Sequence, residues 1–270
     1  MTMIGVVGLG AMGSRVAGRL IAQGNNVYGT NRTRSKADEL IERGLLWSDS
    51  PRKVAETTEV VFSMVSDDDA LDAVTKGPAG IVAGLAEDQV YVDMSTVSPR
   101  TSRELAERVA ARGASMLSAP VSGRVASAAE GRLAIIVGGE RGAFERVEPV
   151  LRQIGSTVTF VGDNGQALLF KLAVNVNLAV QALALSEGVR VVEQAGITRE
   201  LALDVLTRSA VGSPMLQGAP IELPDKAWFD VHELFSAARV LGYEHRDIAR
   251  LFQAFADAVA APARRPSLGF

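Results

Sequence analysis

Lys171 and Asn175 stand one helical turn apart in a stretch that is otherwise apolar almost all round, with Leu168, Leu169, Leu172, Ala173, Val176, Leu178, Val180, Leu183 and Leu185. Side chains at i and i+4 project from one face of a helix. Burying an ammonium is costly, so a lysine there points to a functional reason. A desolvated lysine has a lowered pKa and can give a proton to a developing alkoxide or take one from an alcohol. Ser122 and Gly123 follow Pro120 on what reads as a loop after a strand. Ser122 has no neighbouring histidine to activate it, so nucleophilic attack is not expected.

A third cluster lies at the chain start. The run Ile4-Gly5-Val6-Val7 leads straight into Gly8-Leu9-Gly10-Ala11-Met12-Gly13, and a helical pattern follows with Val16, Ala17, Leu20 and Ile21. Gly8 allows the tight strand-to-helix turn, Gly10 lets the backbone approach a pyrophosphate, and Gly13 lets helix and strand pack closely. Phosphates there meet free N–H groups and the positive end of the helix dipole. The motif therefore predicts a dinucleotide site, with Gly8 through Gly13 as its cradle.

The end of the second strand selects the dinucleotide. An NAD site places a carboxylate there for the ribose hydroxyls. This chain reads Tyr28-Gly29-Thr30-Asn31-Arg32-Thr33-Arg34-Ser35-Lys36, with no acid and three cations. Arg32 suits a bidentate contact to a 2′-phosphate, and Asn31 and Thr33 would add neutral hydrogen bonds. NADP(H) is expected over NAD(H), and FAD is disfavoured for want of the same acid. Val65, Ser95 and Thr96, at the ends of two further strands, complete the expected cofactor set because strand C-termini face the crevice.

Composition removes other chemistries. The 270 residues include no cysteine, which excludes a thiol nucleophile and cysteine-ligated zinc. His232 and His245 lie in a late charge-rich stretch, so a histidine base is not expected. Tyr28, Tyr91 and Tyr243 all lack a lysine four residues later, so the Tyr-x-x-x-Lys pair of short-chain dehydrogenases is missing. No metal site is expected; Asp67-Asp68-Asp69 reads as helix capping and solvated charge. A net charge of −3 and a pI near 5.6 give no case for nucleic-acid or anionic-membrane binding. The first strand begins within three residues of the start, so no leader and a cytoplasmic location are expected.

These residues need a scaffold. Up to about residue 162, apolar β-rich runs (Met3–Val7, Asn26–Gly29, Val60–Val65, Val90–Met94, Ser115–Leu117, Leu133–Val137, Thr157–Val161) alternate with helical patterns near 11–23, 35–43, 69–75, 99–112 and 141–153. That alternation predicts an α/β fold whose N-terminal part is a Rossmann-type doubly wound sheet. After Gly162-Asp163-Asn164-Gly165 the pattern becomes helical: 166–194, then 198–210 with Thr198 as N-cap and Glu200 in the first turn, then 232–259. Residues 213–230 read as irregular and 261–270 as a frayed tail. The expected domains are 1–162, binding the dinucleotide, and 163–270, an all-α domain for substrate and dimerisation. A helix as apolar as 166–194 belongs in a core or an interface.

Four motifs in this order resemble the β-hydroxyacid dehydrogenase family, which includes 3-hydroxyisobutyrate dehydrogenase, tartronate semialdehyde reductase and glyoxylate/succinic semialdehyde reductases. They are Gly8-Leu9-Gly10-Ala11-Met12-Gly13; Asp93-Met94-Ser95-Thr96-Val97-Ser98-Pro99; Ala119-Pro120-Val121-Ser122-Gly123; and Gly162-x-x-Gly165-x-x-x-x-x-Lys171-x-x-x-Asn175. The resemblance implies an NADP(H)-dependent oxidoreductase moving hydride between nicotinamide and a small carboxylate-bearing aldehyde or β-hydroxyacid. In that scheme Lys171 is the acid/base group and Asn175 orients the substrate or the lysine. Ser122 and Gly123 hold the substrate carboxylate, and Ser95 and Thr96 contact cofactor and substrate.

The chain departs from the family pattern in places. Ser118 stands where an aspartate is usual, Val174 replaces the first asparagine of Lys-x-x-Asn-Asn, and Arg124 follows Gly123 in place of a second glycine. Arg124 either pairs with an acidic substrate or faces solvent. After Trp228-Phe229-Asp230-Val231 the chain runs directly to His232-Glu233-Leu234-Phe235, so the helix carrying the family's late Lys-Asp-Leu motif is missing. A homodimer built through the helical domain would fill that gap. Two alternatives follow: an imine reductase on the same scaffold, against which Lys171 argues, and a catalytically impaired NADP(H)-binding protein.

Overall fold

A computed structural model of the chain describes residues 2–209 and Gly212. The expectations for 213–230, 232–259, the tail and the missing helix lie outside the described residues. The elements in chain order are β1 (Met3–Val7), α1 (Ala11–Ala22), β2 (Asn26–Thr30), a 3-10 turn (Arg34–Ala37), α2 (Asp38–Glu42), β3 (Leu46–Trp47), α3 (Pro51–Thr57), β4 (Val60–Ser63), α4 (Asp68–Thr75), α5 (Ile81–Gly84), β5 (Val90–Asp93), α6 (Pro99–Ala110), β6 (Ser115–Ser118), β7 (Val121–Ser122), α7 (Val125–Ala129), β8 (Leu133–Gly139), α8 (Arg141–Ile154), β9 (Gly155–Gly162), α9 (Asn164–Glu193) and α10 (Arg199–Arg208).

The strands form one sheet in the order β3-β2-β1-β4-β5-β6-β8-β7, with β9 pairing β8. From β3 to β6 every pairing is parallel. The order reverses direction beside β1, between the second strand on one side and the fourth on the other. In open α/β sheets such a reversal opens a crevice at the carboxyl ends of the strands. The doubly wound α/β architecture expected for this half is the one present.

Central strands bury residues on both faces, and two apolar clusters result. One holds Ile4, Val6, Leu20, Val92 and Leu117. The other, on the opposite face, holds Val7, Val61, Tyr91, Leu105 and Val109. Helix starts follow local chemistry: Asp67 accepts the Ala70 N–H at 2.7 Å and Ser98 accepts that of Thr101 at 3.0 Å, with Pro99 in the first turn. Thr198 caps α10 in the same way, through Leu201 N–H at 3.4 Å.

Helix α9 covers the C-terminal edge of this arrangement and packs on α6, β6, β8 and β9. Glycine makes the seat: a Cβ on Gly138 of β8 would strike the carbonyl of Asp163 and meet Ala167 at 3.0 Å. Among the described residues the helix carries both buried and exposed apolar side chains. Ala167, Leu168, Leu172, Leu185 and Val189 are buried, whereas Phe170, Val176, Val180 and Val191 are exposed.

Candidate active site

Gly8 adopts φ +94°, and a Cβ there would strike the Met64 carbonyl; one on Gly13 would strike the carbonyl of Gly8. Both glycines are demanded by the protein's own packing. Gly10 is different. Its backbone is extended, and nothing lies within 4 Å of where its Cβ would be. That open ground fronts the N-terminus of α1, which has no side-chain cap and no acid in its first turn. The first N–H groups of the helix are thus left for an anion. Leu9 is buried and Met12 packs on the core, so the Met12 backbone and the exposed Ala11 are what this turn would offer a ligand.

Asn31, expected as a phosphate contact, is turned inward. Its Oδ1 accepts the Leu9 N–H at 3.1 Å, and its Nδ2 donates to the Thr33 carbonyl at 2.9 Å. Asn31 thus fastens the glycine turn to the end of β2. Arg32 and Thr33 are exposed beyond it. Arg34 lies over the Trp47 ring, 5.5 Å from its centroid. Among the described residues Arg32 has no hydrogen bond or ion pair, and its charge reaches Asp67. The Ser66 hydroxyl and the Ala70 N–H hold that carboxyl below its ordinary range, with a smaller pull from Arg32. A 2′-phosphate would find an available guanidinium here.

Ser95 is likewise engaged within the protein. It is 2% exposed, its hydroxyl accepts the Val65 N–H at 3.0 Å, and its own N–H donates to Asp93 Oδ1 at 3.2 Å. That side chain joins the loop after β4 to the loop after β5. Thr96 is exposed and Val65 is half-buried, so both keep accessible surface. Beneath them is a polar cluster that sequence reasoning passed over. Ser63 donates to Asp93 Oδ1 at 2.7 Å and accepts from the Tyr91 hydroxyl at 2.6 Å, and the Ser95 N–H reaches the same Oδ1 at 3.2 Å. Burial pushes the Asp93 carboxyl up from its ordinary range, against the hydrogen bonds from Ser95 and Ser63.

The head of α9 is fixed by reciprocal bonds. Asp163 Oδ1 accepts the Gln166 N–H at 2.9 Å, and Gln166 Oε1 accepts that of Asp163 at 2.8 Å. Asn164 Nδ2 contacts Ser118 Oγ and the Met116 carbonyl, each at 3.2 Å. Ser118, which replaces the aspartate of the resemblance, also pairs with Ser102 at 2.6 Å, so a neutral hydroxyl suffices at this joint.

One turn beyond Ala167, Lys171 is half-buried, as is Asn175 a turn further. Among the described residues Lys171 has no carboxylate partner, and burial lowers its pKa below the ordinary lysine range. Helix α9 touches β7, which carries Ser122. Ser122 lies within that short strand, paired with Ala134 of β8, and not on a free loop as expected. Gly123 follows at φ +145°, where a side chain would be strained, and Arg124 then stands at the N-cap position of α7 without a side-chain capping bond. The fold therefore sets the elements bearing Lys171 and Asn175 against the element bearing Ser122 and Gly123. Among the described residues no cluster of three His, Asp or Glu could hold a metal, and no helix is long and apolar enough to cross a membrane.

The glycine turn, the parallel sheet and the uncapped helix define a nucleotide-binding Rossmann domain. Residues 3–162 match the NAD-binding domain of 6-phosphogluconate dehydrogenase, and the chain belongs to that family. Its relatives are 3-hydroxyisobutyrate dehydrogenase-like proteins and semialdehyde reductases. Glyoxylate/succinic semialdehyde reductase 1 of Arabidopsis thaliana is 33% identical over 215 residues, covering 80% of this chain and 74% of that protein. The human cytokine-like nuclear factor N-PAC is 33% identical over 259 residues, 96% of this chain. The chain spans about half the length of N-PAC (45%). Among solved structures, 3-hydroxyisobutyrate dehydrogenase of Mycobacterium tuberculosis superposes with TM-score 0.73 at 25% identity, over 98% of this chain and 89% of that one. Psf3, in complex with NADP+ and 2-OPP, superposes with TM-score 0.72 at 30% identity, over 79% of this chain and 75% of its own.

Proposed function

We propose that this chain is an NADP(H)-dependent oxidoreductase acting on a small carboxylate-bearing aldehyde or β-hydroxyacid. The observation that carries the reading is Lys171: a half-buried amine without an acidic partner among the described residues, on a helix seated against the strand of Ser122. Gly10 and the bare N-terminus of α1 fit a pyrophosphate, and the exposed guanidinium of Arg32, unpaired among the described residues, fits a 2′-phosphate. When bound, the nicotinamide supplies or accepts the hydride.

The protein's own residues then have three tasks. Lys171, as ammonium, delivers a proton to the carbonyl oxygen during reduction; as amine it removes the alcohol proton in the reverse direction. Asn175, a turn away, orients the substrate oxygen or the lysine. Ser122 hydroxyl and Gly123 N–H hold the substrate carboxylate, fixing the distance between acid group and carbonyl. Two copies pairing through their helical regions would cover the exposed Phe170, Val176 and Val180.

An NADPH-oxidation screen tests the reading, with glyoxylate, succinic semialdehyde, methylmalonate semialdehyde and tartronate semialdehyde as substrates and cyclic imines in parallel. Turnover confined to the carboxylate-bearing aldehydes is expected. The extended match to a nuclear factor favours one second reading, a protein that binds the dinucleotide without chemistry. NADPH binding with no turnover on any substrate would select it.

A further inference from the structure

Asp93 is 1% exposed, and its carboxylate lies at the carboxyl end of β5, in register with Ser63 at the end of β4. Its two oxygens are used unequally. Oδ1 receives the Ser63 hydroxyl and the Ser95 N–H, whereas Oδ2 is buried with no partner among the described residues. A carboxyl kept in such a place costs stability unless its bonds do something else. What those bonds fix is Ser95, and Ser95 in turn holds Val65 N–H at 3.0 Å. Val65, whose Cγ1 lies 3.2 Å from where a Cβ on Gly8 would be, and the exposed Thr96 belong to the two loops so joined.

We propose that Asp93 is a positioning residue for the dinucleotide: acceptance at Oδ1 locks Ser95, and Ser95 locks the β4 and β5 loops into one platform under the cofactor. The inference rests on the proposed dinucleotide site. Hydrogen-bond acceptance matters here, and charge does not, because Oδ2 has no cation to meet. The titratable groups facing the cluster are Tyr91 on the same strand, Asp68 at the head of α4 and Arg108 on α6. Asp68 disfavours ionisation of Asp93, as burial does, and Arg108 acts on Tyr91.

The test measures NADPH Kd by titration of the full chain, beside thermal melting, for five proteins. Wild type must bind; if it does not, the proposed function fails and the inference is not what failed. Ser95→Ala removes the link to Val65 with little change in volume and is expected to raise Kd about tenfold, the effect of one lost hydrogen bond. Asp93→Leu should match it. Asp93→Asn keeps an acceptor oxygen and should stay within about threefold of wild type. Ser102→Ala breaks the buried Ser102–Ser118 bond on the neighbouring strand; it should lower the Tm and leave Kd unchanged. A folded Ser95→Ala that binds as wild type does overturns the proposal. So does an Asp93→Asn protein that binds as poorly as Asp93→Leu, since charge would then be the working feature. Should Asp93→Leu fail to fold, Ser95→Ala and Asp93→Asn decide the matter alone.

Discussion

The side-chain oxygen of Asn31 accepts the backbone N–H of Leu9 at 3.1 Å, so the residue after β2 holds the glycine turn after β1 in place. Arg32, the next residue, carries no such duty. Neighbours in sequence thus divide the work: one shapes the cradle, and the other, unpaired among the described residues, is the one proposed to meet the ligand.

The two should separate on substitution. Asn31→Ala loosens the turn and is expected to weaken NADPH and NADH binding equally, by about five- to tenfold for one lost hydrogen bond. Arg32→Ala removes a charge-assisted contact worth about 1.5–3 kcal/mol and should cost NADPH about ten- to hundredfold while leaving NADH nearly unchanged. Titration of both variants with both dinucleotides checks this. Equal losses for Arg32→Ala would remove the NADP assignment.

The three glycines of the turn should also differ. Gly10→Val meets open ground and a backbone conformation that any residue adopts, so its Tm should match wild type within a few degrees. Its side chain would occupy the pyrophosphate's space, and dinucleotide binding should fall below detection. Gly13→Ala would drive a Cβ into the Gly8 carbonyl and is expected to cost about 1–3 kcal/mol of stability. Melting curves beside binding titrations separate ligand exclusion from misfolding.

Much of this was legible in the chain. The long strands read correctly because β-branched runs of four to seven residues buried on two faces leave little room for another reading. The short elements did not. β7 spans two residues, and its existence depends on pairing with β8, which no local pattern announces. α3 could have been found, since Ser50 before Pro51 is a cap signal, and Ser50 accepts the Lys53 N–H at 3.1 Å. A polar residue at a strand's carboxyl end, such as Asn31 or Ser95, looks the same in sequence whether it meets a ligand or a neighbouring loop. The Asp93 cluster was hidden for a further reason: Ser63 and Asp93 become neighbours only through strand register.

Burial lowers the Lys171 pKa, and this gives a stability signature. The unfolded chain holds that proton more tightly between the depressed folded value and the ordinary lysine range. Stability therefore rises with pH across that window. Lys171→Met lacks the group, so it should be more stable than wild type at neutral pH, with the gap closing as pH climbs. Melting both proteins across alkaline pH checks this. Parallel curves would mean that the amine is solvated in the fold.

The same shift fixes the direction of the rate profile. Reduction needs the ammonium, so kcat/KM for an accepted aldehyde should be level at low pH and fall as pH rises through the Lys171 pKa, below the ordinary lysine range. Oxidation of the matching alcohol needs the free amine and should show the mirror limb. Steady-state rates in both directions over a common pH series read this out. A reduction rate that climbs with pH would assign the proton to another group.

Lys171→Ala compared with wild type tests the central claim most directly, as single-turnover NADPH oxidation alongside NADPH Kd. Loss of the proton donor should slow hydride transfer by about 10²–10⁴-fold while Kd stays unchanged. A Lys171→Ala protein that turns over its aldehyde as fast as wild type would contradict the account.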